Sequence, residues 1–551
     1  MNLHPDQNLN CLLVYPKFSL FSFWNTIEAI KYSGAKATTP PLGLLTVAAI
    51  MPQNWNFRLM DLNAYDFNED DWAWADMICV SGMLPQQSGV VDIIKRAKKD
   101  GIYVCAGGPD PTSQPEVYAD ADALVLNEGE ITIPLWIESW KKGKAKGVFS
   151  CEDKPDVSMT PVPRYDLINI NDYYYMGVQY ARGCPFNCEF CDIIELFGRK
   201  PRHKSPEQFL TELEAIHATG FRGYIEIVDD NFIGNKRNVK RELLPALIEW
   251  QNKMKRPFYF GTEASMNMSD DDALLAQMRD AEFKWVFVGI ETPDPDLLMM
   301  TQKSHNTMRP ITERVRKIYK YGMIVTAGFI MGFDGEKKGT GKSIEQCIED
   351  TGICMAMIGL LVALPKTQLT RRLKKEGRML DYNGVAGSDS GINSRDIESG
   401  QLAPDVIDQT LAGLNYVTTR SRIEILEEFI ELVANVYSPK SYFARALKTA
   451  QAMPYKFPRM QSFWELKRSM KSLVMLSIKM TMNSETRPYF IKNFFVGLSM
   501  GLRRFETVMT LSSVYLHFYK QSRYLIKVLN EQVVAQASLP ASTEEKTAKL
   551  G

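Results

Sequence analysis

Three of the nine cysteines fall within eight residues, in the run Arg182-Gly183-Cys184-Pro185-Phe186-Asn187-Cys188-Glu189-Phe190-Cys191. The spacing is C-x3-C-x2-C, with an aromatic residue just before the last cysteine. A structural zinc site takes four protein ligands, commonly as two close pairs, and a disulfide framework takes an even count. Three thiolates on one tight loop, with no matching fourth nearby, suit a four-iron cluster that keeps one iron open for a further ligand.

The six other cysteines (Cys11, Cys79, Cys105, Cys151, Cys347, Cys354) sit mostly in apolar strand-like or helix-like contexts. They read as buried free thiols of a reducing compartment. The opening Met1–Asp6 is polar and lacks Lys or Arg, so no signal peptide is expected, and no run of about eighteen apolar residues marks a membrane span. A cytoplasmic location follows as the expectation. With 551 residues, 45% hydrophobic and 24% charged, the chain reads as a soluble protein of roughly three domains.

Residues 1–145 alternate short apolar runs with helical stretches. Cys11–Tyr15, Phe57–Asp61, Met77–Ser81, Tyr103–Ala106 and Ala123–Leu126 read as buried parallel strands, with helices such as Leu44–Met51 and Gly89–Lys99 between them. This pattern predicts a doubly wound, Rossmann-like sheet that binds ligands beyond the strands' carboxyl ends. Those ends carry Ser81-Gly82-Met83-Leu84-Pro85-Gln86-Gln87, Gly107-Gly108-Pro109-Asp110 and Asn127-Glu128-Gly129-Glu130. Glycines there let backbone approach a flat ligand, whereas the G-x-G-x-x-G of a dinucleotide site is absent.

Residues 146–176, with Pro155, Pro161 and Pro163, read as a linker. From 177 to 385, strand-like and helix-like segments alternate six times. Expected strands are Gly177–Ala181, Tyr224–Val228, Phe258–Gly261, Trp285–Ile290, Val325–Ile330 and Gly359–Leu364. Expected helices include Pro206–Thr219, Val239–Lys253, Asp270–Ala281 and Ile311–Tyr321. Six βα units predict an open partial barrel with its chemistry at the carboxyl-terminal mouth, where the cysteine loop follows the first strand. Polar residues end the next strands: Asp229-Asp230-Asn231, Thr262-Glu263-Ala264-Ser265 and Gly289-Ile290-Glu291. The Asp229-Asp230 pair is also compatible with Mg2+, although no phosphate-binding loop accompanies it.

Gly384–Gly400 reads as a loop or lid. Residues 386–534 form a mostly helical domain, expected as Asp405–Leu414, Arg422–Val436, Ser441–Ala452, Phe463–Met480, Pro488–Arg503 and Phe505–Leu529, with a disordered tail over 535–551. Formal net charge is zero, yet Lys440–Asn530 holds sixteen Lys plus Arg against three acids. Such basic amphipathic helices can lie on an anionic membrane surface or cover a greasy channel. Their aromatics fall at helical spacing, which speaks against nucleic acid as partner.

The cysteine run, Phe190 included, resembles the cluster loop of the radical S-adenosylmethionine (SAM) superfamily. The resemblance implies a [4Fe-4S] cluster on Cys184, Cys188 and Cys191, whose open iron chelates SAM. It also implies SAM contacts from Phe190, Asp229, Asp230, Asn231, Glu263, Ser265 and Glu291. Gly328-Phe329-Ile330-Met331-Gly332 matches the adenine-side motif at Gly328, Ile330 and Gly332, with its usual following Glu displaced to Glu336.

The N-terminal residues resemble the cobalamin-binding domain that precedes many radical SAM domains. The matching stretches are Pro40–Leu44, Asp61-Leu62-Asn63, Ser81–Gln87 and Gly107-Gly108-Pro109. They imply cobalamin contacts from Leu42, Gly43, Asp61, Asn63, Ser81, Gly82, Met83, Gln87, Gly107, Gly108 and Pro109. Methionine-synthase-like domains use D-x-H-x-x-G to ligate cobalt from below; here the Asp61 loop has no histidine, so cobalamin without a histidine lower ligand is expected.

Over about residues 10–530 the chain resembles the hopanoid C-2 methyltransferase family. Further matches are Tyr15–Ser19 with Phe21–Trp24, Cys184–Arg202, Val228–Asn231, Leu364–Arg372 and Tyr515–Phe518. The resemblance implies hydrogen abstraction from an sp3 carbon by a 5′-deoxyadenosyl radical, methyl donation by methylcobalamin, a small-molecule or lipid substrate, and an electron donor such as flavodoxin or ferredoxin. Other natural-product methylation or cyclisation, and a non-enzymatic cobalamin and cluster sensor, are the rival readings.

Overall fold

The computed structural model describes residues 3–18, 22–23, 25–307, 309–380, 413–454 and 463–537. The expected Gly384–Gly400 loop and residues 405–412 of the expected Asp405–Leu414 helix lie outside them.

The apolar runs of the N-terminal region form β1 (Asn10–Tyr15), β2 (Asn56–Asp61), β3 (Met77–Ser81), β4 (Tyr103–Gly107) and β5 (Ala123–Val125). A sixth strand, β6 (Gly147–Phe149), lies in the stretch expected to be linker. It is a short, exposed edge strand, so no buried apolar run announces it. The sheet is parallel in the order β2-β1-β3-β4-β5-β6. Its two faces are covered by α1 (Leu42–Ile50) and α3 (Gly129–Lys141) on one side and α2 (Gln87–Lys99) on the other. Burial on both faces explains the near-continuous apolar strands.

The central sheet contains β7 (Met176–Val178), β10 (Gly223–Ile227), β11 (Phe258–Glu263), β12 (Phe283–Glu291), β13 (Ile324–Met331) and β14 (Ala356–Leu360). These six strands run parallel in the order β14-β13-β12-β11-β10-β7, an open partial barrel. Between β7 and β10, β8 (Ala181–Arg182) pairs antiparallel with β9 (Arg202–His203).

Helices α4 (Pro206–Ala218), α5 (Leu244–Lys253), α6 (Asp272–Asp280), α7 (Ile311–Lys320) and α8 (Thr340–Thr351) connect the strands. Ser205 caps α4 through Gln208 N–H at 3.2 Å, as a Ser-Pro start demands. The expected Val239–Lys253 helix opens with a wide π turn over Val239–Leu243. Pro245 lacks the N–H that would bond the Arg241 carbonyl. The last strand lies at Ala356–Leu360 rather than Gly359–Leu364. The apolar residues after it leave the sheet, and Asn415 takes up the Ala363 backbone at 2.8 and 3.1 Å.

The C-terminal helices are α9 (Arg422–Val436), α10 (Pro439–Ala452), α11 (Phe463–Met482), α12 (Arg487–Ser499) and α13 (Leu502–Ala537). The break expected near Arg503 falls at Gly501, whose φ of +95° suits glycine. Beyond it α13 runs for 36 residues, into the first positions of the expected tail. One apolar core joins barrel and helices. Glu428 of α9 accepts the Gly339 and Gly341 N–H groups at 3.0 and 3.3 Å, at the start of α8.

Candidate active site

The cysteine loop leaves the barrel through β8. Gly183 adopts φ +92°, and a Cβ there would lie 2.8 Å from the Gly198 carbonyl, which accepts the Cys184 N–H at 3.2 Å. Glu189, between the second and third cysteines, is held at three points. Its N–H donates to Thr301 O at 3.1 Å, its carbonyl accepts from Leu369 N–H at 2.9 Å, and its carboxylate accepts from Arg372 Nε at 2.5 Å. The Leu364–Arg372 motif is therefore the clamp of the cysteine loop. Arg371 adds an ion pair to Glu195, and Gln368 bonds Asn187 at 3.0 Å.

All three thiols line one cavity of about 1680 Å³. Among the described residues no three His, Cys, Asp or Glu side chains are placed to hold a single metal ion. Three soft thiols set apart on one cavity wall fit a larger iron–sulfur group.

The carboxyl ends of β10–β13 surround the loop, and Asp229, Asp230, Asn231, Glu263, Ser265, Glu291, Gly328 and Ile330 all reach the cavity wall with Phe190. They do different things. Asp229 spends both oxygens on the backbone N–H groups of Tyr180 and Ala181, at 2.8 and 2.9 Å, which fixes the turn into β8. Asn231 donates to Cys184 Sγ across 3.7 Å and accepts from Ser265 N–H at 3.2 Å. Asp230 keeps a buried oxygen, Oδ2, without a hydrogen-bond partner among the described residues. Burial first, and the neighbouring Asp192 charge second, push its carboxyl up to about 7. Glu263 is pushed to about 8 by burial and then by Asp230. Such a pair favours a cationic, hydrogen-bond-donating ligand. Glu291 is ion-paired with Lys303 and holds φ +64°, a strained position at a ligand wall. Gly332 lies outside the cavity wall; its N–H and that of Phe333 are capped by Glu336 at 2.9 and 3.1 Å. The displaced Glu thus closes the strand end from four residues along.

In the N-terminal domain, Leu42, Gly43, Ser81, Gly82, Met83 and Pro109 line the same cavity. The remaining expected cobalamin contacts lie behind it. Asp61 accepts from Asn63 N–H at 2.9 Å and from Tyr173 Oη at 3.0 Å, and Asn63 accepts from Phe18 N–H at 2.8 Å. These bonds tie the loops together and use up the polar atoms. Gln87 donates to Asp110 at 2.9 Å and is buried. A Cβ on Gly107 would meet Val125 O at 2.7 Å, and one on Gly108 would collide with the Ser81 hydroxyl, so Gly107 lets the ends of β4 and β5 pair closely and Gly108 lets its loop close on Ser81. The wall places Gly43 and Gly82 beside Leu42, Ser81 and Met83, which fits a corrin ring held close to backbone; His305, stacked on Phe186, faces the cavity from the barrel side.

Glu128 and Glu130, at the end of β5, turn away from any ligand role. Arg182 pairs with both at 2.7 Å, and Arg202 pairs with Glu128 at 2.7 Å, so the cysteine loop is clasped to the N-terminal domain by four nearly buried charges. Lys366 Nζ donates to Thr112 O at 2.7 Å on the same boundary.

Below the strand ends the barrel is hollow. Gly177, Gly289, Gly328 and Gly359 line the cavity from four strands, and on β10 the inward residues are Tyr224 and Glu226, against which Gly261 of β11 packs. Tyr224 donates to Glu226, and Tyr175 and Tyr259 flank Tyr224 at ring distances of 5.2 and 5.4 Å. Burial pushes Glu226 up to about 7. Sequence reasoning missed this cluster; its signal was the alternation Tyr224-x-Glu226 on a strand whose other face is apolar.

The radical SAM superfamily model matches residues 178–347, and a domain of unknown function, DUF4070, matches 367–530. An uncharacterized methyltransferase of Synechocystis, sll1242, is 40% identical over 529 residues, covering 95% of this chain and 94% of the relative. The hopanoid C-2 methylase of Rhodopseudomonas palustris is 42% identical over 375 residues, covering 67% of this chain and 71% of the relative. The cobalamin-dependent SAM radical enzyme OxsB, with aqua-cobalamin bound, shares the fold at TM-score 0.53 and 15% identity, over 96% of this chain and 81% of that one. The radical SAM methyltransferase TsrM, with cobalamin and a [4Fe-4S] cluster, does so at TM-score 0.56 and 14% identity, over 85% of this chain and 98% of that one. This chain belongs to the radical SAM methyltransferases, in the family that includes hopanoid C-2 methylase, and is built on the fold of their cobalamin-dependent relatives.

Proposed function

We propose that this protein methylates an sp3 carbon of a polycyclic lipid of the hopanoid class, at a C-2-type position, with cobalamin as methyl carrier. The observation that carries the reading is the single cavity. It joins the three thiols, the glycine-bearing wall of the N-terminal domain and an apolar wall from the C-terminal helices, including Leu473, Leu476, Phe505 and Met509. Similarity to hopanoid C-2 methylase supports the choice of substrate.

When bound, cluster and SAM supply a 5′-deoxyadenosyl radical for hydrogen abstraction, and cobalamin supplies the methyl group. The protein's part is placement and dryness. Cys184, Cys188 and Cys191 hold the cluster. Asp230 and Glu263 accept from the SAM ammonium and ribose hydroxyls, Glu291 with Lys303 fixes the wall beside them, and Gly328 and Ile330 border the adenine. Leu42, Gly43, Ser81, Gly82, Met83 and Pro109 would cradle the corrin. The hollow barrel keeps the substrate's ring system between the two cofactors and excludes water from a reactive radical. An external one-electron donor such as flavodoxin or ferredoxin completes the reaction, and the basic C-terminal helices bring the protein to a membrane's inner surface.

The test is expression in a hopanoid-producing host that lacks this activity. A methylated triterpenoid is expected; its absence despite a loaded cluster and cobalamin refutes the substrate reading.

A further inference from the structure

Among the described residues, nine of the seventeen exposed large apolar side chains fall between Met470 and Leu502. On α11, Met470, Val474, Ile478 and Met482 recur every four residues and share one helix face. The hairpin partner α12 adds Ile491, Phe495 and Leu498, and Leu502 follows at the start of α13. Exposed Lys471, Lys479 and Lys492 sit on the same two helices and make no ion pair among the described residues. Glu485 is the one acid between Met470 and Leu502, and it is neutralised by Arg523. An apolar face of this extent marks a partner, and its positive charge selects an anionic one.

The face is continuous with the cavity. Met470 and Leu502, 52% and 67% exposed, belong to the cavity wall as well as to the patch. This opening lies at the barrel end away from the cysteines. Arg503 approaches Gly322, just before β13, at 3.5 Å from the position of a Cβ, and Lys284, near the start of β12, feels the charges of Arg503 and Glu506. The cysteines and carboxylates occupy the opposite, carboxyl ends of the same strands.

We propose that the α11–α12 hairpin seats on an anionic lipid bilayer, and that the substrate passes from the bilayer between Met470 and Leu502 into the barrel from below. This rests on the lipid reading above and gives it a surface and an entry route. A polycyclic lipid then reaches the cofactors without crossing water.

The experiment uses the full-length holoprotein and cosedimentation with vesicles of phosphatidylcholine, with and without about 30% phosphatidylglycerol. Binding to the anionic vesicles is expected, weakened by salt and reduced at least about tenfold in the double variant Ile478→Glu with Phe495→Glu. Neither residue lines the cavity, so 5′-deoxyadenosine formation and turnover of detergent-dispersed lipid remain at wild-type rate while turnover of vesicle-embedded lipid falls. Wild-type protein that ignores anionic vesicles, self-associates through the patch instead, or binds as well with both glutamates in place overturns the docking. A protein that methylates dispersed lipid but ignores vesicles refutes the docking alone. One that binds vesicles but methylates no lipid refutes the substrate reading alone.

Discussion

Replacing Arg182 by Met tests how the two domains are held around the cavity. Arg182 is 11% exposed and faces Glu128 and Glu130, at 2% and 3%. Glu130 has its carboxyl drawn down to about 2 from an ordinary 4.5: burial opposes ionisation, and the Arg182 hydrogen bonds and charge overcome it. At 1.36 kcal/mol per unit, this linkage is worth about 3 kcal/mol. It matches the 3–5 kcal/mol typical of removing one partner from a buried pair, of which about 3 is taken here. In the variant Glu128 keeps Arg202, whereas Glu130 keeps the Thr160 hydroxyl at 2.6 Å and a backbone N–H. For a chain of 551 residues, thermal unfolding followed by circular dichroism should show a fall of about 3 °C at neutral pH.

The sign with pH separates this from a mere packing loss. In the wild type the Glu130 contribution is complete above its unfolded value of 4.5 and is lost as pH falls towards 2. In the variant burial governs Glu130 alone, so its deficit should shrink as pH falls from about 7 to about 5 and the carboxyl takes a proton. A double variant, Arg182→Met with Glu130→Met, should regain most of the loss. An unchanged midpoint, or a deficit independent of pH, would refute the reasoning.

Three further outcomes follow from the site. Alanine at Cys184, Cys188 or Cys191 should each abolish retention of the roughly four irons that the wild type holds after anaerobic reconstitution, measured as iron per chain. Gly289→Ala places a Cβ 2.5 Å from Lys303 Nζ and against Glu291, so it should raise KM for SAM by about tenfold or more, read in 5′-deoxyadenosine kinetics; an unchanged KM removes Glu291 from the SAM wall. Glu226 has a folded value near 7 against 4.5 unfolded, so its share of stability is complete below 4.5 and is lost as pH rises through 7. Glu226→Gln should flatten the fall in stability of the ligand-free protein over that range by up to about 3 kcal/mol, measured by denaturant unfolding at several pH values.

The sheet and barrel were legible because strands buried on both faces leave continuous apolar runs, and Ser205-Pro206 leaves turn chemistry at the start of α4; the break at Gly501 was not read, since apolar helical spacing continues across it. Edge strand β6 buried too little to leave a run, and Gly359–Leu364 looked like a strand although only its first two residues pair and tertiary bonding to Asn415 draws the rest away. At the site, the three cysteines of the motif share one cavity wall, and Asp230, Glu263 and Glu291 reached that wall as their strand ends implied. Asp61, Asn63 and Gln87 did not. A polar residue at a strand end has the same signature whether it meets a ligand or ties two loops, and only the partners Tyr173, Phe18 and Asp110 distinguish the cases. Glu226 was missed because an acid inside a barrel strand reads as a solvent-facing position until the barrel's inner face is known to be a cavity.

The most direct test of the account is product stoichiometry with the reconstituted protein, SAM, a one-electron reductant and a hopanoid extract. One methylated lipid should form with one 5′-deoxyadenosine and one S-adenosylhomocysteine, and omission of cobalamin should abolish the methylated product. Formation of 5′-deoxyadenosine with no S-adenosylhomocysteine and no methylated lipid, or methylation undiminished without cobalamin, would contradict it.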